Sequence, residues 1–494
     1  MATASSASAH RSLDSRPILL VLGILLIILA LFMMPPMVAD LVIDHPDWKI
    51  FLGSSAATAF IGVSLMLVNR SAPGGELTTR QVFLLTSLAW FGVAVFAALP
   101  FAVSDLDLTP ADAFFEAMSG LTTTGSTVIV GLDDAPPGIL LWRSILQWLG
   151  GIGIIVMGVA ILPILSVGGM QLFRAESSDL SEKILPRAAQ LASATGLIYL
   201  SITVACAVLY WSAGMDTFDA TAHAMTTVAT GGFSTHDTSI GYFGSPMIEW
   251  TAIVFMLIGG MPFVIYIQAV AGNARALAAD AQVRWFLTIA LVSAVTIAVF
   301  LLINSDLQPM DAVRMSAFHA TSLMTGTGYV AADYGLWGHF PIAAFFFLMC
   351  VGGCTGSTTG GIKIFRFIVL YEVARSQIAR LIQPHGVFPT SYNGRTLPDS
   401  AAISVMAFFF LFALSFAVLA LLLGLSGLDY LTAMSAALTA LANVGPGLGP
   451  LIGPVSTFAN LEEHVKWLLA VAMLVGRLEL FTLFVLVSPA FWRI

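Results

Sequence analysis

Nine stretches of this sequence hold no Asp, Glu, Lys or Arg: 17–39, 50–69, 81–104, 144–173, 188–215, 250–274, 285–305, 334–362 and 400–428. A helix needs about 20 apolar residues to cross a bilayer, so each stretch reads as a span. A final apolar stretch, about 464–489, is interrupted by Arg477 and Glu479. With 58% hydrophobic and 10% charged residues, the expectation is an all-α polytopic membrane protein with about ten transmembrane helices. The first span is too long for a signal-peptide core, and Met33-Met34-Pro35-Pro36-Met37 is no small-residue cleavage site, so it reads as a retained helix.

Basic residues set the expected orientation. With both termini cytoplasmic, the inner segments hold Arg11, Arg16, Arg70, Arg80, Arg174, Lys183, Arg187, Arg275, Arg284, Arg366, Arg375, Arg380, Arg395 and Arg493. The outer segments hold Lys49, Arg143, Arg314 and Lys466. That bias follows the positive-inside rule. The outer segments also carry Asp105, Asp107, Asp112, Asp133, Asp134, Asp216, Asp219, Asp237, Asp306, Asp311, Asp333 and Asp429. A vestibule ringed by such charge would concentrate cations. The formal charge of −8 gives no reason to expect nucleic acid. Cys206, Cys350 and Cys354 lie in apolar segments and form neither a metal quartet nor a disulfide framework.

Inside this pattern one gapless motif recurs four times: Ala117-x-Ser119…Gly125, Ala224-x-Thr226…Gly232, Ala320-x-Ser322…Gly328 and Ala437-x-Thr439…Gly445. Its glycines are 107, 96 and 117 residues apart, room for a helix, a re-entrant segment and a second helix. Fixed spacing of this kind marks internal repetition. The chain then divides into a helical pair (1–80) and four units, 81–187, 188–281, 282–396 and 397–494. Short helices that cannot span are expected to start near Pro110, Thr217, Gln308 and Gly427. Asp112, Asp219, Asp311 and Asp429 sit near those starts, where the helix dipole favours acids.

The turns that follow read Thr122-Thr123-Thr124-Gly125, Ala229-Thr230-Gly231-Gly232, Thr325-Gly326-Thr327-Gly328 and Ala442-Asn443-Val444-Gly445. None carries a charge. A dehydrated monovalent cation needs an oxygen cage, and backbone carbonyls supply it without the grip of full charges. The four turns are therefore expected to form one ion filter, with ion contacts at Thr123, Thr124, Thr230, Gly231, Gly326, Thr327, Asn443 and Val444. Twenty-four to thirty-one residues past each filter glycine come Gly150-Gly151, Gly259-Gly260, Gly352-Gly353 and Gly476, read as close helix packing. In the third unit the run continues as Cys354-Thr355-Gly356-Ser357-Thr358-Thr359-Gly360-Gly361, followed by Lys363. This poor helix former lies within a span, where irregular backbone must be buried in protein or face a water-filled cavity. It reads as a loop beneath the filter and a candidate gate, comprising Gly353, Thr355, Gly356, Ser357, Thr358, Thr359, Gly360 and Gly361. Lys363 reads as snorkelling to the interface. Glu116, His223, His319 and Ala436 share one place, nine residues before each glycine, which suggests pore-helix packing.

These residues resemble the Trk/Ktr/HKT superfamily of potassium transporters across essentially the whole chain. The resemblance rests on Thr230-Gly231-Gly232-Phe233-Ser234-Thr235-His236-Asp237, the 352–361 run, Gly476-Arg477-Leu478-Glu479 and the extra N-terminal helix pair. It implies four helix–pore loop–helix repeats around a pseudo-fourfold pore, assembled as a homodimer. It places Gly125, Gly232, Gly328 and Gly445 on the four filter positions. Sodium-preferring relatives often carry Ser at the first, so Gly125 implies K+ as the transported ion. Arg477, an ionisable group inside an apolar helix, would sit just below the filter and act with the loop as a barrier. The family further implies a TrkA-like cytoplasmic subunit that binds nucleotide. This chain has no Gly-rich nucleotide motif of its own, no metal-ligand cluster and no nucleophile–base pair. The expectation is thus K+ uptake at a bacterial inner membrane by a non-enzyme without organic cofactor, the rival being a transporter coupling K+ to H+ or Na+.

Overall fold

The computed structural model describes residues 13–72, 77–157 and 188–493. Arg11, Arg174, Lys183 and Arg187 lie outside the described residues, as does the part of the uncharged span 144–173 beyond 157. Among the described residues seven helices are long and apolar enough to cross a membrane unaided: Arg16–Val42, Trp48–Val68, Thr79–Val103, Pro137–Val156, Gln190–Ser212, Ala281–Asn304 and Asp399–Leu425. Two further spans are bent pairs, Pro246–Gly259 with Phe263–Val270 at 92°, and Glu463–Arg477 with Phe481–Val487 at 110°. His339–Val351, the remaining apolar span, has 13 residues and runs into the irregular 352–363 segment. Among the described residues seven to nine helices are thus long and apolar enough to span, against about ten expected, and three of the four second helices are interrupted.

Each interruption has a local cause. Pro262 lacks an N–H, so the carbonyl of Ile258 takes the Tyr266 hydroxyl instead, at 2.8 Å. The carbonyls of Gly259 and Gly260 then accept from Thr358 N (3.2 Å) and Cys354 N (2.9 Å), while Phe263 N donates to Gly356 O (3.0 Å). Two irregular segments at membrane depth therefore satisfy one another's backbone, as the absence of water there demands. In the last helix the break falls at Glu479 and Leu480, both in the left-handed region at φ 62° and 53°.

The N-terminal pair crosses where backbones touch. A Cβ on Gly23 would lie 2.7 Å from Gly62 O, and one on Gly62 would lie 2.8 Å from Gly23 O, the close approach that small residues permit. Asp40 Oδ1 accepts from Gly138 N at 2.6 Å, which ties this pair to the first unit's second helix.

The four short helices span Pro110–Leu121, Thr217–Val228, Pro309–Thr325 and Tyr430–Ala442. Thr109 and Asp112 close a capping box on the first, and Asp216 and Asp429 cap the second and fourth. The fourth starts three residues later than expected at Gly427. That glycine, at φ 86°, belongs to the preceding turn, and Asp429 supplies the cap.

Candidate ion filter and gate

Each short helix ends in the same twist. Backbone φ is positive at Thr123 and Gly125, Thr230 and Gly232, Gly326 and Gly328, and Asn443 and Gly445. The amide between each pair folds back onto the repeated Ser or Thr: Thr124 N to Ser119 O (2.8 Å), Gly231 N to Thr226 O (2.8 Å), Thr327 N to Ser322 O (2.9 Å) and Val444 N to Thr439 O (3.0 Å). Ser119 Oγ and Ser322 Oγ also donate to the carbonyls just past the glycine, Ser126 O at 2.6 Å and Tyr329 O at 2.8 Å. Fixed spacing in the sequence is the spacing of this hydrogen-bonded turn.

The four turns close into a ring. A Cβ on Gly125 would collide with Gly231 O, one on Gly232 with Thr327 O, and one on Gly328 with Val444 O. One on Gly445 would lie 2.9 Å from Thr124 O. Each glycine thus faces the carbonyl preceding the next glycine, in the order one, two, three, four, one. All four glycines line a single cavity of about 440 Å³, together with Ser126, Arg143, His236 and Asp237. Thr123 Oγ1 and Asn443 Oδ1 have no hydrogen-bond partner among the described residues.

The acidic ring expected outside this cavity is mostly committed elsewhere. Asp237 is the one carboxylate on the cavity wall among the described residues, and its Oδ1 accepts from Gly131 N and Leu132 N. Asp219 holds Thr235 Oγ1 (2.7 Å) and His236 (3.0 Å), and Asp133 holds the other nitrogen of that ring at 2.6 Å.

One position on the short helices pins the chain as it leaves each glycine. Glu116 accepts from Thr127 Oγ1 and Val128 N, His223 bonds Ser234 Oγ, and His319 Nε2 accepts from Ala331 N and Ala332 N. In the fourth unit Ala436 offers nothing, and neighbouring Ser435 Oγ accepts from Leu448 N at 3.0 Å.

Every seam between units holds a different buried charged contact, and at three of the four it is an ion pair across the seam. Arg143 pairs with Glu116 at 2.7 Å and reaches Ser234 O of the second unit at 2.6 Å. Arg314 meets Glu249 at 2.5 Å, joining the third unit to the second. Arg366 pairs with Glu479 between the third and fourth. Lys466 meets Asp112 between the fourth and first, at 2.5 Å. Sequence reasoning placed Arg143, Arg314 and Lys466 only as outer charges. Their signal was a lone cation near the end of an apolar stretch.

The 352–361 run lies directly against the ring. Thr358 Oγ1 donates to Val228 O (3.1 Å) or Gly259 O (3.0 Å) and lies 3.0 Å from Thr230 Oγ1. Gly361 N donates to Ala442 O at 2.8 Å, and a Cβ on Gly360 would collide with that same carbonyl. Thr355 N is held by Gln282 Oε1, Gly353 N by Thr359 Oγ1, and Ser357 Oγ contacts Cys354 O and Thr359 Oγ1. Lys363 corrects the snorkelling expectation. It is buried, at φ 78°, and its Nζ donates back to Thr359 O. Arg477 is 2% exposed, and its Nε, Nη1 and Nη2 have no hydrogen-bond partner among the described residues. Glu479, two residues on, turns instead to Arg366.

Gly150, Gly259 and Gly476 serve the packing expected of them, leaving room for Leu121 O, Val228 O and Leu441 O at the ends of the short helices.

Comparison with known proteins agrees with this geometry. The TrkH family, described as a cation transport protein, matches residues 49–494. The Trk system potassium uptake protein TrkI of Halomonas elongata is 45% identical over 478 residues, 97% of each chain. The Trk system potassium uptake protein TrkH of Escherichia coli K12 is 39% identical over 97% of this chain and 99% of its own. The crystal structure of the potassium transporter TrkH from Vibrio parahaemolyticus superimposes with a TM-score of 0.90 at 38% identity, covering 97% of this chain and all of that one. The chain belongs to the TrkH family of cation transport proteins.

Proposed function

We propose that this protein is the membrane subunit of a potassium uptake system, passing K+ through a four-walled carbonyl filter. The observation that carries the reading is the closed ring in which each wall's carbonyl meets its neighbour's glycine. Carbonyl dipoles without full charges let an ion bind and still leave. The inside-negative potential supplies about 2.3 kcal/mol per charge per 100 mV. The units 81–187, 188–281, 282–396 and 397–494 are its four walls, 1–80 a peripheral pair.

The gate is the 352–361 run with Arg477. The run is bonded to the second and fourth walls, and the guanidinium beneath them repels a cation. Control comes from a TrkA-like cytoplasmic subunit that binds nucleotide and pulls on the run. The working assembly is a homodimer in a bacterial inner membrane with both termini cytoplasmic.

The test is K+ and Na+ flux in proteoliposomes, with and without a nucleotide-binding partner, for the native chain, Gly232→Ser and Arg477→Ala. Selective native flux, lower selectivity in the first variant and raised leak in the second support filter and gate together. If neither ion runs down its gradient even with the partner, or flux keeps a fixed H+ or Na+ stoichiometry, the uncoupled pore is wrong and a coupled transporter replaces it.

A further inference from the structure

The ring is fourfold in backbone but not in side chains, and one departure bonds a carbonyl of the ring itself. Gln147 is fully buried on the first unit's second helix. Its Nε2 donates to Gly231 O at 2.7 Å, and its Oε1 accepts from Phe233 N at 3.0 Å. Both partners belong to the second wall, one on each side of Gly232.

The second helices are in register at Gly150, Gly259 and Gly476, which face equivalent carbonyls. Three residues before them stand Gln147, Met256 and Met473, and the same offset from Gly352 gives Met349. The residues preceding the four filter glycines are Thr124, Gly231, Thr327 and Val444. Polar Gln147 therefore serves the one wall that lacks a side chain there, and Met stands at the same offset in the other three units. The exchange is steric as well: a Cβ on Gly231 would fall onto the Gln147 amide.

Resting on the reading of the ring as a filter, we propose that Gln147 is a specificity-setting positioning residue for it. Gly231 O is one of the four ring carbonyls. A carbonyl has two lone pairs, and the Gln147 amide occupies one, which lowers the field this oxygen offers a cation. Number and field strength of carbonyls are levers of K+ against Na+ discrimination. The same bonds restrain the wall with the least side-chain bulk from closing around a smaller ion. Gln147 touches no ion itself. It sets where, and how strongly, Gly231 O does.

The experiment is the K+/Na+ permeability ratio of the full chain in proteoliposomes, compared for native, Gln147→Met and Gln147→Glu. The first variant installs the residue of the other walls and removes both hydrogen bonds. The second, measured at alkaline pH where the carboxyl is ionised, keeps the acceptor for Phe233 N and loses the donor to Gly231 O. Both are expected to lower the ratio roughly two- to tenfold, the range one hydrogen bond spans, with K+ flux retained. A ratio unchanged in Gln147→Met overturns the proposal, and where that variant does not assemble, an unchanged ratio in Gln147→Glu does so. A fall in the first variant alone overturns the assignment to the Gly231 carbonyl. Absence of K+ flux in the native chain would instead overturn the filter reading beneath it.

Discussion

Lys466 Nζ lies 2.5 Å from Asp112 Oδ1, although 354 residues of chain separate them. The contact closes the circle of four units, because Lys466 lies in the first turn of the last second helix and Asp112 in the first turn of the first short helix. Lys466 also donates to Ala459 O at 2.8 Å.

Removing one member of this pair strands the other charge in a buried place. Lys466→Met or Asp112→Asn is expected to lower stability by about 3 kcal/mol, the cost typical of a broken buried pair. The double variant should recover much of that loss. Thermal unfolding in detergent measures both. Additive losses would show that the two residues are not coupled.

Thr358 fastens the irregular run to the second wall through its hydroxyl. Thr358→Val keeps the shape and deletes the bond, so basal K+ flux without a regulatory partner should rise, by roughly fivefold for one lost hydrogen bond. Thr358→Ser retains the hydroxyl and should stay near native. Equal flux from all three chains would remove this residue from the proposed gate.

Glu479 answers the guanidinium of Arg366, which also donates to Ile362 O at 2.7 Å. Glu479→Gln is expected to destabilise by about 3–5 kcal/mol, and Glu479→Asp by less. A thermal midpoint unchanged in Glu479→Gln would mean that the pair contributes nothing to the third seam.

His319 offers one ring nitrogen to two amides of the outgoing chain, Ala331 N at 3.2 Å and Ala332 N at 3.3 Å. His319→Ala orphans both and should cost about 1–3 kcal/mol. His319→Gln, which presents an amide oxygen, should restore part of it. Chemical denaturation of the purified chain distinguishes these outcomes.

The four turns were legible in the sequence because a left-handed residue with a neighbouring carbonyl against it demands glycine, and Ser119 or Ser322 must sit where its carbonyl and hydroxyl meet the turn. The loop was legible for a related reason, since Gly and Thr in succession cannot continue a helix at that depth. The seams were not. Glu249 and Arg314 are 65 residues apart and Arg366 and Glu479 are 113 apart, and nothing local says that they meet. Lys363 misled because its place near the end of a span suggests the interface, whereas a left-handed backbone turns it inward. The outer acids were legible as charges but not in their contacts, since composition cannot say that Asp216 and Asp429 cap short helices or that Asp219 holds His236.

Four seams held by four different charged contacts have a genetic consequence. In a ring of identical subunits one codon change is copied into every wall, so an altered contact arrives at fourfold dosage. Here the walls are successive stretches of one gene, and a substitution at Glu116, Glu249, Glu479 or Lys466 touches a single seam. Each wall is thus open to selection by itself, and a mechanical asymmetry such as a hinge confined to one wall is heritable without disturbing the other three.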